Sequence, residues 1–233
     1  MSLWSRLFYN RPKLPPEYLS RLDKYRKLEE VDSRQPVSAI RFVVLDVETT
    51  GLNPFQDHLL TIGAVALDRG MIQFKDSFET VLRQHAPSGH RNILVHGIDG
   101  TTQMSGREPA LALLGFLEFA GKAPLVGFHA DFDRVMIERA ARRELGMAPV
   151  NTWLDLAILA PALLRRRAPA ASTLDDWAHA FGLENHARHN AAADALVTAQ
   201  LLQIVLDAAT QEGITTCAEL VKLERGERWL GRR

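Results

Sequence analysis

Cysteine occurs once in this 233-residue chain, at position 217, so neither an internal disulfide framework nor a zinc-ribbon site can organise it. Excess charge is missing as well: 28 Lys and Arg face 28 Asp and Glu. Without a global positive field, tight sequence-independent binding to nucleic acid is disfavoured, whereas an enzyme that grips a few phosphates through metal ions is not. No apolar run approaches the roughly 20 residues of a membrane span, and the first residues lack an apolar core followed by a small-residue cleavage site. The cytoplasm is therefore the expected compartment, with no membrane partner. Hydrophobic content of 46% and charged content of 24% exclude a disordered chain.

What the chain does have is a buried strand that ends in two acids. Residues 42–47 (FVVLDV) are aliphatic, aromatic or β-branched except Asp46, as a central strand covered on both faces requires. On a period of two, Asp46 and Glu48 project from the same side, continuing the line of Phe42 and Val44. Paired carboxylates repel unless they share a cation, so this strand end is a candidate metal site. Taken alone, Asp-x-Glu is a weak signal, and an N-cap followed by a turn through Thr49, Thr50 and Gly51 is the better reading of it.

Around that strand the chain divides into residues 1–38, 39–210 and 211–233. The first segment holds eight basic and five acidic residues; it contains apolar Trp4, Leu7, Phe8 and Tyr9, then prolines, then a helix with Tyr18, Leu22, Tyr25 and Glu29 on one face. That helix is expected to lay its aromatic edge on the domain behind it. Next come strands over 59–67 and 71–82, joined by Asp68-Arg69-Gly70 as a hairpin. Ser105-Gly106-Arg107-Glu108 reads as a capping box opening a helix to Ala120. A strand over 124–128, a helix over 131–145, a strand over 150–153 and helices over 155–166, 172–181 and 190–209 follow. The expected fold is α/β: a mixed β-sheet, three antiparallel-connected strands and then βαβ units, flanked by helices.

Two further acids fall at element boundaries. Asp133 opens the helix after the fourth strand, at the sheet edge where open α/β folds expose their sites. Asp194 sits in the first turn of the helix capped by Asn190, with His189 in the loop before the cap. Singly, each acid complements a helix dipole and the histidine is a solvated loop residue. Together, four acids and a histidine at one sheet edge suit metal-assisted hydrolysis of a phosphodiester.

Asp46-Val47-Glu48-Thr49-Thr50-Gly51, then His129-Ala130-Asp131-Phe132-Asp133, then His189-x-Ala191-x-x-Asp194 resemble the three motifs of the DEDD, or DnaQ-like, 3′-to-5′ exonucleases of the histidine subtype. Val95-His96-Gly97-Ile98 resembles that family's His-Gly-Ile segment, and the likeness spans roughly residues 40 to 207. The chain looks most like the proofreading ε-subunit branch of DNA polymerase III. It departs from the family in having His129 where the second motif usually has Asn. The resemblance implies a ribonuclease H-like fold and two Mg²⁺ or Mn²⁺ ions held by Asp46, Glu48, Asp133 and Asp194. His189 would be the general base, and Thr49, Thr50, Gly51, Leu52, His96, His129 and Phe132 would contact the substrate. The implied partner is the 3′ end of a single strand, with a polymerase subunit as a further one. Three functions are compatible with it: release of nucleoside 5′-monophosphates from single-stranded DNA, the same chemistry on RNA as in oligoribonuclease and RNase T types, and a noncatalytic nucleic-acid-binding subunit.

Overall fold

A computed structural model of the chain describes residues 12–185 and 187–231. Trp4, Leu7, Phe8 and Tyr9 lie outside them. Five strands form one sheet in the order β3-β2-β1-β4-β5. The first three are β1 (Arg41–Thr49), β2 (Leu59–Asp68) and β3 (Met71–Val81), paired antiparallel. β4 (Leu125–Gly127) and β5 (Trp153–Asp155) add to β1 in parallel. Arg69 (φ 49°) and Gly70 (φ 75°) make the β2–β3 connection, two positive-φ residues in the primed turn whose twist matches the strands.

Alternation along β1 divides the core. Phe42 and Val44 face one apolar cluster, with α6 (Leu156–Leu164), α7 (Leu174–Phe181), α8 (Ala191–Gln211) and α9 (Cys217–Leu230). Val43, Leu45 and Val47 face the other, with α1 (Pro16–Arg26), α4 (Pro109–Ala120) and α5 (Ala130–Leu145). The expected mixed α/β fold is thus the observed one. By length and composition α8 could span a membrane, which the reading of apolar runs did not register; here 61% of its apolar window is buried and it packs on β1 and β2.

Leu22 and Tyr25 of α1 are buried in the second cluster, and the Tyr25 hydroxyl donates to Asn151 at 3.2 Å. Glu29 is not on that face, because the helix stops at Arg26. Four local expectations are corrected. Ser105 ends a short helix, α3 (Gly100–Ser105), and α4 is capped by Glu108 itself, whose carboxylate accepts the Ala110 and Leu111 N–H groups; Pro109 at the next position fixes that start. The fifth strand is residues 153–155 rather than 150–153, set by its parallel register with β4; Val150 is exposed. Two helices that short apolar runs did not signal, α2 (His90–His96) and α3, precede α4. Residues 217–230, read without an element, form α9, opened by a capping box between Thr216 and Glu219.

Candidate active site

The carboxyl end of β1 is where the acids converge. Oxygens of Asp46, Glu48 and Asp194 lie within 4.8 Å of one another. β1 supplies the first two from its α8-facing side, and α8 supplies the third from its first turn. That turn lies against the sheet because β2 has Gly63 opposite Asp46: a Cβ there would stand 2.3 Å from the Ala191 carbonyl carbon and the Ala192 nitrogen. The run of alanines after Asn190 answers the same need for close approach. Asn190 caps the helix by accepting the Ala193 N–H at 3.0 Å. Gly63→Val should therefore push α8 off the sheet, lowering Tm by several degrees and removing most activity. Unchanged melting and rate would refute this account of the helix position.

Asp133 arrives from the opposite layer, buried in the first turn of α5 beside Gly127. It lies outside the close triad but near enough to act on Asp46 electrostatically. His129, which caps α5 in the left-handed region at φ 62°, donates its backbone N–H to Asp155 at 2.9 Å. His and Asn tolerate that conformation better than most residues, so the substitution keeps the turn. Asp155 is buried and also faces Arg228 at 3.4 Å, while Glu224 accepts the Asp155 N–H at 3.0 Å, tying α9 to the turn that carries Asp133.

The Asp194 carboxylate is held by three hydrogen bonds. It accepts Asn185 Nδ2 at 2.5 Å, Arg188 Nη1 at 3.3 Å and the His189 backbone N–H at 3.0 Å. His189 has φ 60° and an exposed side chain, as expected of a residue in the loop before the cap.

Burial, then the neighbouring Asp133, Glu48 and Asp194, pushes Asp46 well above the usual carboxylate range. Glu48 is raised to about 8, chiefly by burial and then by Asp194 and Asp133. Asp133 is also raised to about 8 by burial, with Asp155 adding to it against backbone hydrogen bonds. Among the described residues Arg188 is the one cation that offsets the repulsion on Asp46 and Glu48, so hard oxygen donors lie crowded around too little positive charge. That is the environment a divalent ion fits.

Residues 43–202 match the sequence model of the family described as Exonuclease. The chain belongs to the exonuclease family. It is 31% identical over 183 residues to the PolC-type DNA polymerase III of Thermotoga maritima, covering 78% of this chain and 13% of that protein. It is 33% identical over 195 residues to a DNA polymerase III subunit epsilon-like protein of Rhodobacter capsulatus, covering 81% of this chain and 27% of that one. The chain thus spans well under half of these relatives. Among solved structures, E. coli exonuclease I in complex with a dT13 oligonucleotide aligns with a TM-score of 0.62 and 19% identity, over 74% of this chain and 42% of that one. This likeness shows a shared ribonuclease H-like fold.

Beside the acids lies a hollow of about 220 Å³ lined by Glu48, Thr61, Glu79, His96, Gly97 and Asn190, among others. His96 is 7% exposed; its Nδ1 accepts the Ile98 N–H at 3.0 Å, and among the described residues its buried Nε2 has no partner. The buried Thr61 hydroxyl is likewise unpartnered. Thr49 and Thr50 form the turn that follows, with the Thr49 hydroxyl donating to the Gly51 carbonyl at 2.7 Å, and Leu52 stands 89% exposed. Phe132 is partly buried against the α4–α5 cluster, and the His129 side chain is exposed.

Thr61, Glu79, Asn185, Arg188 and Asp155 escaped the sequence reading. Only Thr61 left a signal, since it is a polar residue within an apolar strand.

The raised acids set a pH dependence. A carboxylic acid whose folded value lies above its unfolded one gives stability that is full below the unfolded value and lost as pH rises through the folded value. In EDTA, Tm should fall by several degrees between about pH 5 and 8, at about 2–4 °C per kcal/mol, and level off above. Glu48→Gln should flatten that fall. A Tm that climbs with pH across this window would contradict the assigned repulsion.

Proposed function

We propose that this exonuclease removes nucleotides from the 3′ end of single-stranded DNA, releasing nucleoside 5′-monophosphates in a proofreading or repair-like role in the cytoplasm. The observation that carries the reading is the convergence of Asp46, Glu48 and Asp194 within 4.8 Å, beside a hollow lined by His96 and Thr61, whose Nε2 and hydroxyl have no partner among the described residues. The polymerase names of its relatives and the oligonucleotide bound to exonuclease I support DNA and a polymerase subunit as partners.

Asp46, Glu48, Asp194 and Asp133 would hold two Mg²⁺ or Mn²⁺ ions, which when bound would supply positive charge at the scissile phosphate and lower the pKa of an attacking water. The protein's own groups do the rest. The His189 imidazole takes the water's proton, and because the His189 N–H is bonded to Asp194, base and ligand are held in one unit. His96 Nε2 and the Thr61 hydroxyl offer hydrogen bonds to the terminal ribose. Backbone groups of Thr49, Thr50 and Gly51, with Leu52, Phe132 and His129, bracket the terminal nucleotides.

Incubation with 5′-end-labelled single-stranded DNA and RNA in Mg²⁺, Mn²⁺ or EDTA tests this. Stepwise shortening of DNA with metal, and none in EDTA, is expected. Faster shortening of RNA would move the assignment to the exoribonuclease reading. Strand binding without cleavage of either would leave a noncatalytic subunit.

A further inference from the structure

The loop that follows Thr50 displays an aromatic side chain that neither the fold nor the acid cluster uses. Phe55 is 80% exposed and Leu52 is 89% exposed, yet the backbone beneath them is tightly held. Asp57 accepts the Asn53 N–H at 2.8 Å and the Thr50 hydroxyl at 3.1 Å. Asn53 Oδ1 accepts the Phe55 N–H at 3.0 Å, and the Thr50 hydroxyl accepts the His58 N–H at 2.9 Å. Asn92 of α2 donates to the Thr50 carbonyl. Gly51 leaves room for this arrangement, since a Cβ would lie 2.5 Å from the Asp57 carboxylate and displace it. An aromatic ring held out on a rigid loop is a preorganised stacking surface.

Beside this loop runs one edge of α5, the helix that carries Asp133. Arg139 Nη1 donates to the Pro54 carbonyl at 2.5 Å, and Arg143 Nη1 lies 3.5 Å from His58 Nδ1. At 1.5 Å per residue these arginines stand about 9 and 15 Å along the helix from Asp133. The nearby acids are accounted for. Arg143 pairs with Glu144, Arg142 pairs with Glu138, and both oxygens of Asp57 are engaged by the loop. Among the described residues Arg139 forms no ion pair. Mutual repulsion with Arg143, after burial, holds both Arg139 and His58 below their ordinary values, with Asp57 opposing.

We propose that residues 52–58 and the facing edge of α5 form a track for the single strand beyond the nucleotide being released, with Phe55 stacking on a base and Arg139, flanked by His58 and Arg143, receiving phosphates. This rests on the function proposed above and extends it to the body of the substrate. A single nucleic-acid strand is the occupant because the patch continues from the Thr49–Leu52 turn at the acid cluster and alternates an aromatic face with cationic groups, the pairing that non-specific strand binders use.

The test measures binding of fluorescein-labelled twelve-nucleotide oligothymidylate and oligouridylate in EDTA, alongside hydrolysis of the p-nitrophenyl ester of thymidine 5′-monophosphate with Mn²⁺. The ester needs the acid cluster, His189 and the terminal-nucleotide hollow, but neither Phe55 nor Arg139. Phe55→Ala should weaken strand binding about 5- to 100-fold, and Phe55→Trp should retain it. Arg139→Gln should weaken binding several-fold and reduce the slope of log affinity against log salt by about 0.7. Ester hydrolysis should be unchanged in all three. Failure of the unaltered protein to bind either strand, unchanged binding in both Phe55→Ala and Arg139→Gln, or a parallel fall in ester hydrolysis would overturn the track. Strand binding that falls as expected in a protein hydrolysing neither ester nor strand would uphold the track while removing the exonuclease reading.

Discussion

Asp46→Asn should leave a folded protein whose hydrolysis of single strands is reduced on the order of 10³-fold or more, the scale on which charged groups at a phosphoryl centre act. Asp46 sits between Glu48, Asp133 and Asp194 and is raised by burial and by all three. Its loss removes a ligand and one source of repulsion at the same time. In EDTA at pH 8 the variant should therefore melt at or above the temperature of the unaltered protein. Metal should reverse the order. At about 100 times its dissociation constant a ligand stabilises by about 2.7 kcal/mol, which for a chain of this size is about 5–10 °C, and Asp46→Asn should forfeit most of that shift. Glu48→Gln and Asp194→Asn should behave alike, except that Asp194→Asn also disturbs the Asn185, Arg188 and His189 contacts and should cost apo stability. Full activity in Asp46→Asn, or an undiminished Mn²⁺ shift, would sink the shared-metal account.

Replacing His189 should cost about 10²–10⁴ in rate, the usual contribution of a positioned base, while leaving the metal-induced shift in Tm intact. The backbone explains the second half: Asp194 is bonded by the His189 N–H, not by the imidazole. It also dictates the choice of variant. With φ at 60°, alanine is strained where asparagine is tolerated, so His189→Ala mixes loss of a base with damage to the turn. His189→Asn separates them and should show the same rate loss with unchanged melting. If His189→Asn keeps nearly full rate, another group takes the proton and the histidine-subtype mechanism is wrong.

Much of the fold was legible because its signals are local. The β1–β2–β3 order follows from two apolar runs, the mixed Met71–Val81 segment after them and one Arg69-Gly70 turn, and the α8 start follows from Asn190 and the alanines after it. The pairing of Asp46 with Glu48 follows from strand alternation alone, since a period of two puts both on one face whatever the partners are. The motif resemblance then named the acids, three of which, Asp46, Glu48 and Asp194, the fold draws together at that strand end. Local signals also misled where two caps competed. Ser105 and Glu108 stand at capping-box spacing, yet Asp99 and Glu108 each cap a helix of their own.

What no local pattern could reveal is decided by register and by contacts between distant segments. Glu79 reaches the hollow beside Glu48 because it pairs with Gly63, which pairs with Asp46. Counting from the hairpin turn gives the wrong partner, because pairing jumps from Ala66↔Gln73 to Val65↔Ser77 and three extra residues bulge out of β3. Asp155, Glu224 and Arg228 join across β5 and α9 only once both are packed. Arg188 meets Asp194 through a loop whose course depends on α7 as well as α8, since the same guanidinium holds Asp175 at 2.8 Å. Sequence alone determined the residue types, the alternation and some helix starts, that of α8 among them, because these are set by neighbours one to four positions apart. Which acids lie close enough to share a cation, and which polar groups wait without partners, was decided by tertiary structure, because burial and Coulomb repulsion depend on distances through space that chain separation does not encode.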